Sequence, residues 1–218
     1  RYKGLVKYKS RIIPNGLDIE RIDQNIHTPS TPRVGIPFTI ISVGRLVNIK
    51  NHCSTLLAYQ KLRDIDARLL IVGDGKLRAL LEEDTKEYGL SKDVEFTGMI
   101  PRNDVYKHLQ SADVFVSTSI GEGLPVAVLE AMACSCPVIL SDIAPHREIA
   151  SGMDFIPLVP PLDTDGFARE ILKFYNTPVK ERSEIGLRCR MLVEERFSVR
   201  KMLAEYEKLY LSVAGEPA

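Results

Sequence analysis

One stretch constrains this chain more than any other: Ser117-Thr-Ser-Ile-Gly-Glu-Gly-Leu-Pro-Val-Ala-Val-Leu-Glu-Ala-Met-Ala-Cys-Ser-Cys-Pro137. It continues an apolar run, Asp113-Val-Phe-Val-Ser117, which reads as a buried parallel strand. Small and turn-forming residues follow through Gly123. Pro125 stands where a helix would begin, because its fixed φ suits the first turn and its missing N–H is not needed there. Ala127 to Ala133 are mostly good helix formers. The unit is strand, Gly-rich turn, helix. Such a turn lies at the carboxyl end of a strand, where open α/β sheets bind ligands.

Two acids mark the unit, Glu122 in the turn and Glu130 in the helix. From Leu124 to Leu140, Glu130 is the only charged residue. A carboxylate on an apolar helix is costly unless something hydrogen-bonds it. One reading has Glu130 capping a backbone group or pairing with a distant Arg. The other has it accepting hydrogen bonds from ligand hydroxyls, close to a helix N-terminus that attracts phosphate.

Glu122 and Glu130, with seven residues between them inside EGLPVAVLEAMA, resemble the E-x7-E motif of retaining glycosyltransferases of group 1 (family 4, GT-B fold). The resemblance implies that Glu130 holds the ribose hydroxyls of a sugar nucleotide and that Glu122 approaches the transferred sugar. It implies that the loop at Gly123, Leu124 and Pro125 faces the diphosphate and sugar.

The strand Phe38–Val43 leads into Gly44-Arg-Leu-Val-Asn-Ile-Lys-Asn51, and residues 53–62 then read as a helix. Arg45 and Lys50 flank this second strand-to-helix turn. Most Lys and Arg are solvated surface cations, but cations at a strand's carboxyl end suit an anionic ligand. The string resembles the family's G-R-L-x(3)-K-N segment. That implies that Gly44 lies at the donor and that Arg45 and Lys50 hold its diphosphate and stabilise the leaving group.

Further strands are expected at 67–72, 94–97, 136–140 and, as a Pro-bearing edge, 155–158. Helices are expected at 77–88, 104–110, 163–175, 180–196 and 199–213. Gly73-Asp-Gly75 lacks the third glycine of a dinucleotide fingerprint and reads as a close turn, against an oxidoreductase. The loop Gly98-Met-Ile-Pro101 resembles the family's base-holding loop, with Met99 and Ile100 the candidates. Cys134-Ser-Cys136 carries Ser135 where the family has Gly; a glycine there permits a left-handed residue ending the helix. The segment after Gly152 also departs from the family's wording.

Composition excludes other classes. There are 29 basic and 29 acidic residues, a balance that does not argue for nucleic acid. The longest apolar run, Leu124 to Leu140, falls short of a membrane span and contains Glu130. Cys53, Cys134, Cys136 and Cys189 fit no zinc or disulfide spacing and read as small hydrophobes in a reducing, cytoplasmic setting.

The expected fold is α/β, a Rossmann-like parallel sheet flanked by helices, the C-terminal half of a GT-B fold. Residues 1–36 read as linker plus a short leading strand at 10–14, and 37–218 as the nucleotide-sugar-binding domain with C-terminal helices. The chain opens in mid-flow without Met and reads as an excised piece. The resemblance implies a donor such as a UDP-, GDP- or ADP-sugar as substrate, no cofactor or metal, and an acceptor held by a missing N-terminal domain. It leaves peripheral membrane association of a full-length enzyme open. The alternative is a nucleotide-binding module without a catalytic partner.

Overall fold

The computed structural model describes residues 11–26 and 37–214. Six strands form one sheet: β1 (Phe38–Val43), β2 (Ala67–Val72), β3 (Val94–Gly98), β4 (Val114–Ser117), β5 (Val138–Ser141) and β6 (Leu158–Val159). Their order is β3-β2-β1-β4-β5-β6, and every pairing is parallel. Parallel strands need crossovers, and helices supply them. The crossovers are α2 (His52–Gln60), α3 (Arg78–Glu87), α4 (Arg102–Ser111), α5 (Val126–Ala133) and α6 (Ala144–Ala150); α1 (Ile19–Asp23) precedes β1, and α7 (Thr164–Asn176), α8 (Val179–Arg196) and α9 (Val199–Ala214) follow β6.

Strand periodicity divides the core into two layers. Ile41, Leu70, Phe115, Val138 and Leu140 face a cluster built with α4, α5, α6 and α8. Their neighbours Ile40, Leu69, Val114, Val116 and Ile139 face the other way, toward α2, α3 and α7. Both faces are covered, so the central strands are apolar throughout rather than alternating. Cys134, Cys136 and Cys189 are buried among these residues. No helix among the described residues is long and apolar enough to cross a membrane.

The leading strand does not form. Residues 11–16 adopt no regular element, and Ser10 lies outside the described residues. The chain instead turns into α1. Asp18 caps it, its carboxylate accepting from the Arg21 N–H at 3.0 Å. Ile19 and Ile22 pack into the core one helical turn apart. Residues 1–10 and 27–36 of the expected linker lie outside the described residues. At the far edge only Leu158–Val159 pair as a strand, while Phe155-Ile-Pro157 stays irregular.

The Gly73-Asp-Gly75 turn has a packing role. A Cβ on Gly73, whose φ is +136°, would lie 2.0 Å from the Gly44 carbonyl oxygen, and one on Gly75 would lie 2.5 Å from that of Leu46. The turn after β2 therefore presses directly on the turn after β1 and fixes it.

Candidate functional site at the sheet's switch point

Strand order reverses between β1 and β4. From β1 the sheet runs outward to β2 and β3, and from β4 to β5 and β6. At such a point the connections leave on opposite sides, and a crevice opens at the carboxyl ends of the strands. The turn after β1 and the turn after β4 form its two walls.

The walls are tied together. Asn51 sits in the left-handed region at φ 55°, which aims its side chain across the crevice. Its amide nitrogen bonds the Thr118 carbonyl at 3.1 Å, the Pro161 carbonyl at 3.1 Å and the Ser54 hydroxyl at 2.9 Å. Thr118 returns a hydrogen bond from its hydroxyl to the Asn51 carbonyl at 2.7 Å, and the Ile120 N–H donates to the Ile49 carbonyl at 2.9 Å.

Across this seam Lys50 Nζ donates to Glu122 Oε1 at 2.6 Å, with the two side chains 19% and 9% exposed. The Ser119 hydroxyl donates to the same oxygen at 2.8 Å. Lys50 ends a short 3₁₀ turn, Asn48–Lys50, and its stem runs beneath Gly44. Arg45 is exposed, and its side chain makes no hydrogen bond or ion pair among the described residues. Lys50, Glu122 and Gly44 thus meet at one seam, and Arg45 follows Gly44 on the same turn.

Two buried histidines stand behind them. His146 Nδ1 lies 2.9 Å from the Ser141 carbonyl, which can only accept, so Nδ1 carries the proton. The Ser141 hydroxyl donates to the Ser119 carbonyl at 2.6 Å, linking α6 to the Glu122 turn. His52 Nδ1 lies 3.2 Å from the Ser42 hydroxyl. Neither Nε2 has a hydrogen-bond partner among the described residues. Burial pulls the His52 pKa down to about 4, with the Lys50 charge acting the same way and the Arg45 backbone opposing. Burial also lowers His146.

Glu130 lies on α5, in the turn after Val126, and is 6% exposed. Its partner is Arg102, the first residue of α4. Arg102 Nε donates at 2.7 Å and a second guanidinium nitrogen donates to the same carboxylate. The Tyr106 hydroxyl adds a bond at 3.2 Å. The distant-Arg reading of Glu130 therefore holds as it stands here, without removing the other reading. Gly123 and Leu124 lie in the turn before α5, and Pro125 precedes the helix by one residue as its N-cap. No side chain caps that end; the Val126 and Val128 N–H groups donate to the Leu124 and Pro125 carbonyls at 2.9 and 3.0 Å.

Met99 is 85% exposed, while Ile100 packs against the core. Both belong to the loop between β3 and α4, and Arg102 connects that loop to Glu130. Asn51, Ser119, Ser141, His146, Arg102 and Tyr106 were not singled out from sequence as site residues. Asn51 had a local signal in the Lys50-Asn51 pair, and Ser141 and His146 lie in a stretch, Ser141 to Ile149, that resembles the family's loop and short helix closing the pocket. The others act through contacts across elements.

The family model for glycosyl transferases group 1 matches residues 23–190. The chain is 35% identical over 146 residues to the putative glycosyltransferase EpsF of Bacillus subtilis (strain 168), covering 64% of this chain and 38% of that protein. It is 28% identical over 215 residues to the Escherichia coli UDP-Gal:alpha-D-GlcNAc-diphosphoundecaprenol alpha-1,3-galactosyltransferase, covering 94% of this chain and 54% of that one. Its fold matches Anabaena Alr3699/HepE in complex with UDP and glucose with a TM-score of 0.80 at 19% identity, over 93% of this chain and 57% of that chain. The chain thus spans about half the length of such relatives.

Proposed function

This chain belongs to the group 1 glycosyl transferases, and we propose that it is the donor-binding part of a retaining enzyme that moves a sugar from a nucleoside-diphosphate sugar to an acceptor. The observation that carries the proposal is the Lys50–Glu122 pair, held at the sheet's switch point beside an uncapped helix N-terminus.

Each group then has a task. Lys50 has three N–H donors and uses one on Glu122, which leaves two for diphosphate oxygens. Arg45, unpaired and exposed, supplies a second cation. The N–H groups of Gly123 and Leu124 and the dipole of α5 face the same anion. Gly44 lets the diphosphate approach the backbone. As the glycosidic bond breaks, negative charge collects on the leaving diphosphate, and these donors are already oriented toward it. Glu122 lies against the transferred sugar, and Lys50 couples it to the leaving group. Glu130 accepts from the ribose hydroxyls, and the backbone at Met99 and Ile100 meets the base. The acceptor is held by residues outside this chain.

The fold likeness to a protein bound to UDP and glucose makes UDP-sugars the first donors to test. The experiment is titration calorimetry of the chain with UDP-, GDP- and ADP-sugars, their nucleoside diphosphates and the free nucleosides. One diphosphate series should bind, and its free nucleoside should bind far more weakly. A chain that binds none of the three series does not serve as a donor domain.

A further inference from the structure

Resting on the reading of Glu130 as acceptor for ribose hydroxyls, we propose that Arg102 and Tyr106 are positioning residues that hold Glu130 by one oxygen and so present the other to the nucleotide. The geometry is asymmetric. Arg102 Nε, a second Arg102 nitrogen and the Tyr106 hydroxyl all bond Oε1. Oε2 has no hydrogen bond among the described residues. An arginine that merely neutralised a carboxylate would gain more by its two-pronged pairing with both oxygens. Here the fork is spent on one.

Oε2 is not sealed in. The buried side-chain polar atoms lacking a partner among the described residues are His52 Nε2 and His146 Nε2. Oε2 is not one of them, so it keeps some exposure although the residue as a whole is buried. A carboxylate with one oxygen pinned and one open cannot swing, and it meets a hydroxyl without first losing side-chain freedom.

The holders come from one face of one helix. Arg102 and Tyr106 are four residues apart on α4, and both point at α5. Arg102 follows directly on Met99-Ile-Pro101. The loop proposed for the base and the carboxylate proposed for the ribose are thereby set by the same residue, so the two halves of a nucleoside would be measured against one rigid corner.

The test compares ribose and deoxyribose ligands. UDP, ADP and GDP are titrated into the chain, and the tightest is compared with its 2′-deoxy and 3′-deoxy forms. The unsubstituted chain should favour the full ribose by about tenfold or more, the scale of a hydrogen bond to a charged group. Glu130→Gln should bring that ratio close to one. Arg102→Gln and Tyr106→Phe should each lower it toward the Glu130→Gln value while affinity for inorganic pyrophosphate stays unchanged. Arg102→Lys should recover part of it, since an ammonium can still hold one oxygen. Arg102→Gln leaves a buried carboxylate without its cation, a change large enough to unfold a marginal chain; Tyr106→Phe removes a single hydroxyl and keeps the comparison in a folded protein. The proposal is overturned if folded Tyr106→Phe and folded Arg102→Gln keep the full ratio while Glu130→Gln abolishes it, if Tyr106→Phe alone keeps it where Arg102→Gln does not fold, or if loss of Arg102 tightens nucleotide binding, which would make Arg102 a competitor. If Glu130→Gln leaves the ratio untouched, or no nucleotide binds, the ribose reading fails first and the proposal with it.

Discussion

Lys50 and Glu122, 72 residues apart in sequence, meet at 2.6 Å across the crevice between the β1 and β4 turns. The pair is nearly enclosed, with side chains 19% and 9% exposed. Two charges so placed have each lost most of their hydration, and each depends on the other to offset it. Removing one therefore costs more than the pair itself contributes. Lys50→Ala should destabilise the fold by about 2 kcal/mol, because Glu122 keeps only the Ser119 hydroxyl. Adding Glu122→Gln should restore much of that loss. Urea denaturation of the single and double variants checks this; equal midpoints would mean that the stranded charge is not the cause.

Arg45 offers the opposite case. It is exposed and makes no side-chain hydrogen bond or ion pair among the described residues. Arg45→Ala should leave stability within about 0.5 kcal/mol. Nucleoside-diphosphate affinity should nevertheless fall about tenfold, and free-nucleoside affinity should hold, because only the charge facing the diphosphate is lost. Calorimetry with the two ligands separates the cases, and a matched loss for both would count against a diphosphate contact.

Ser135 takes the left-handed conformation, φ 58°, at the end of α5. The geometry that glycine would permit thus survives with a side chain in place, at a steric cost of about 1–2 kcal/mol. Close packing enforces it: the Ser135 carbonyl oxygen sits where a Cβ on Gly186 would be, 2.0 Å away. Ser135→Gly should raise stability by about 0.5–1 kcal/mol, after the greater freedom of glycine in the unfolded chain is subtracted. Gly186→Ala should lower it by about 3 kcal/mol, since the obstacle is backbone. Thermal melts of both variants check the pair; a destabilised Ser135→Gly would show that the serine is not strained.

The sheet and its helices were legible because their signals are local. Phe38–Val43 and Ala67–Val72 are apolar runs ended by glycine turns, and both strands form over those residues. The helix α1 was missed because five residues carry little periodic signal and earn their place by packing Ile19 and Ile22 into a distant core. The site divides the same way. Glu122, Glu130, Arg45 and Lys50 stand out by charge and position along the chain. Arg102 and Tyr106 do not, because an amphipathic helix presents many such residues and only the fold selects the two that face Glu130. His146 reaches the Glu122 turn through Ser141 and Ser119, a path with no counterpart in sequence order.

His52 sets how the fold responds to acid. Burial, with the Lys50 charge, holds its imidazole neutral down to about pH 4, against an ordinary value of 6.5. Between those values the unfolded chain binds the proton and the folded chain does not. Stability therefore rises with pH across this window. It is fully present above pH 6.5 and falls away as the pH drops toward 4, by about 3 kcal/mol over the whole span. His146, lowered by its own burial, adds in the same direction. His52→Gln removes the titrating ring but keeps a polar group near Ser42. The variant should be less stable than the parent at pH 7.5, and the gap should narrow steadily between pH 6.5 and 4.5, because the parent alone carries the His52 penalty. Urea denaturation at a series of pH values measures the gap. Parallel curves would mean that His52 is protonated as easily folded as unfolded, and that the charge of Lys50 and the enclosure beneath Gly44 do not reach it.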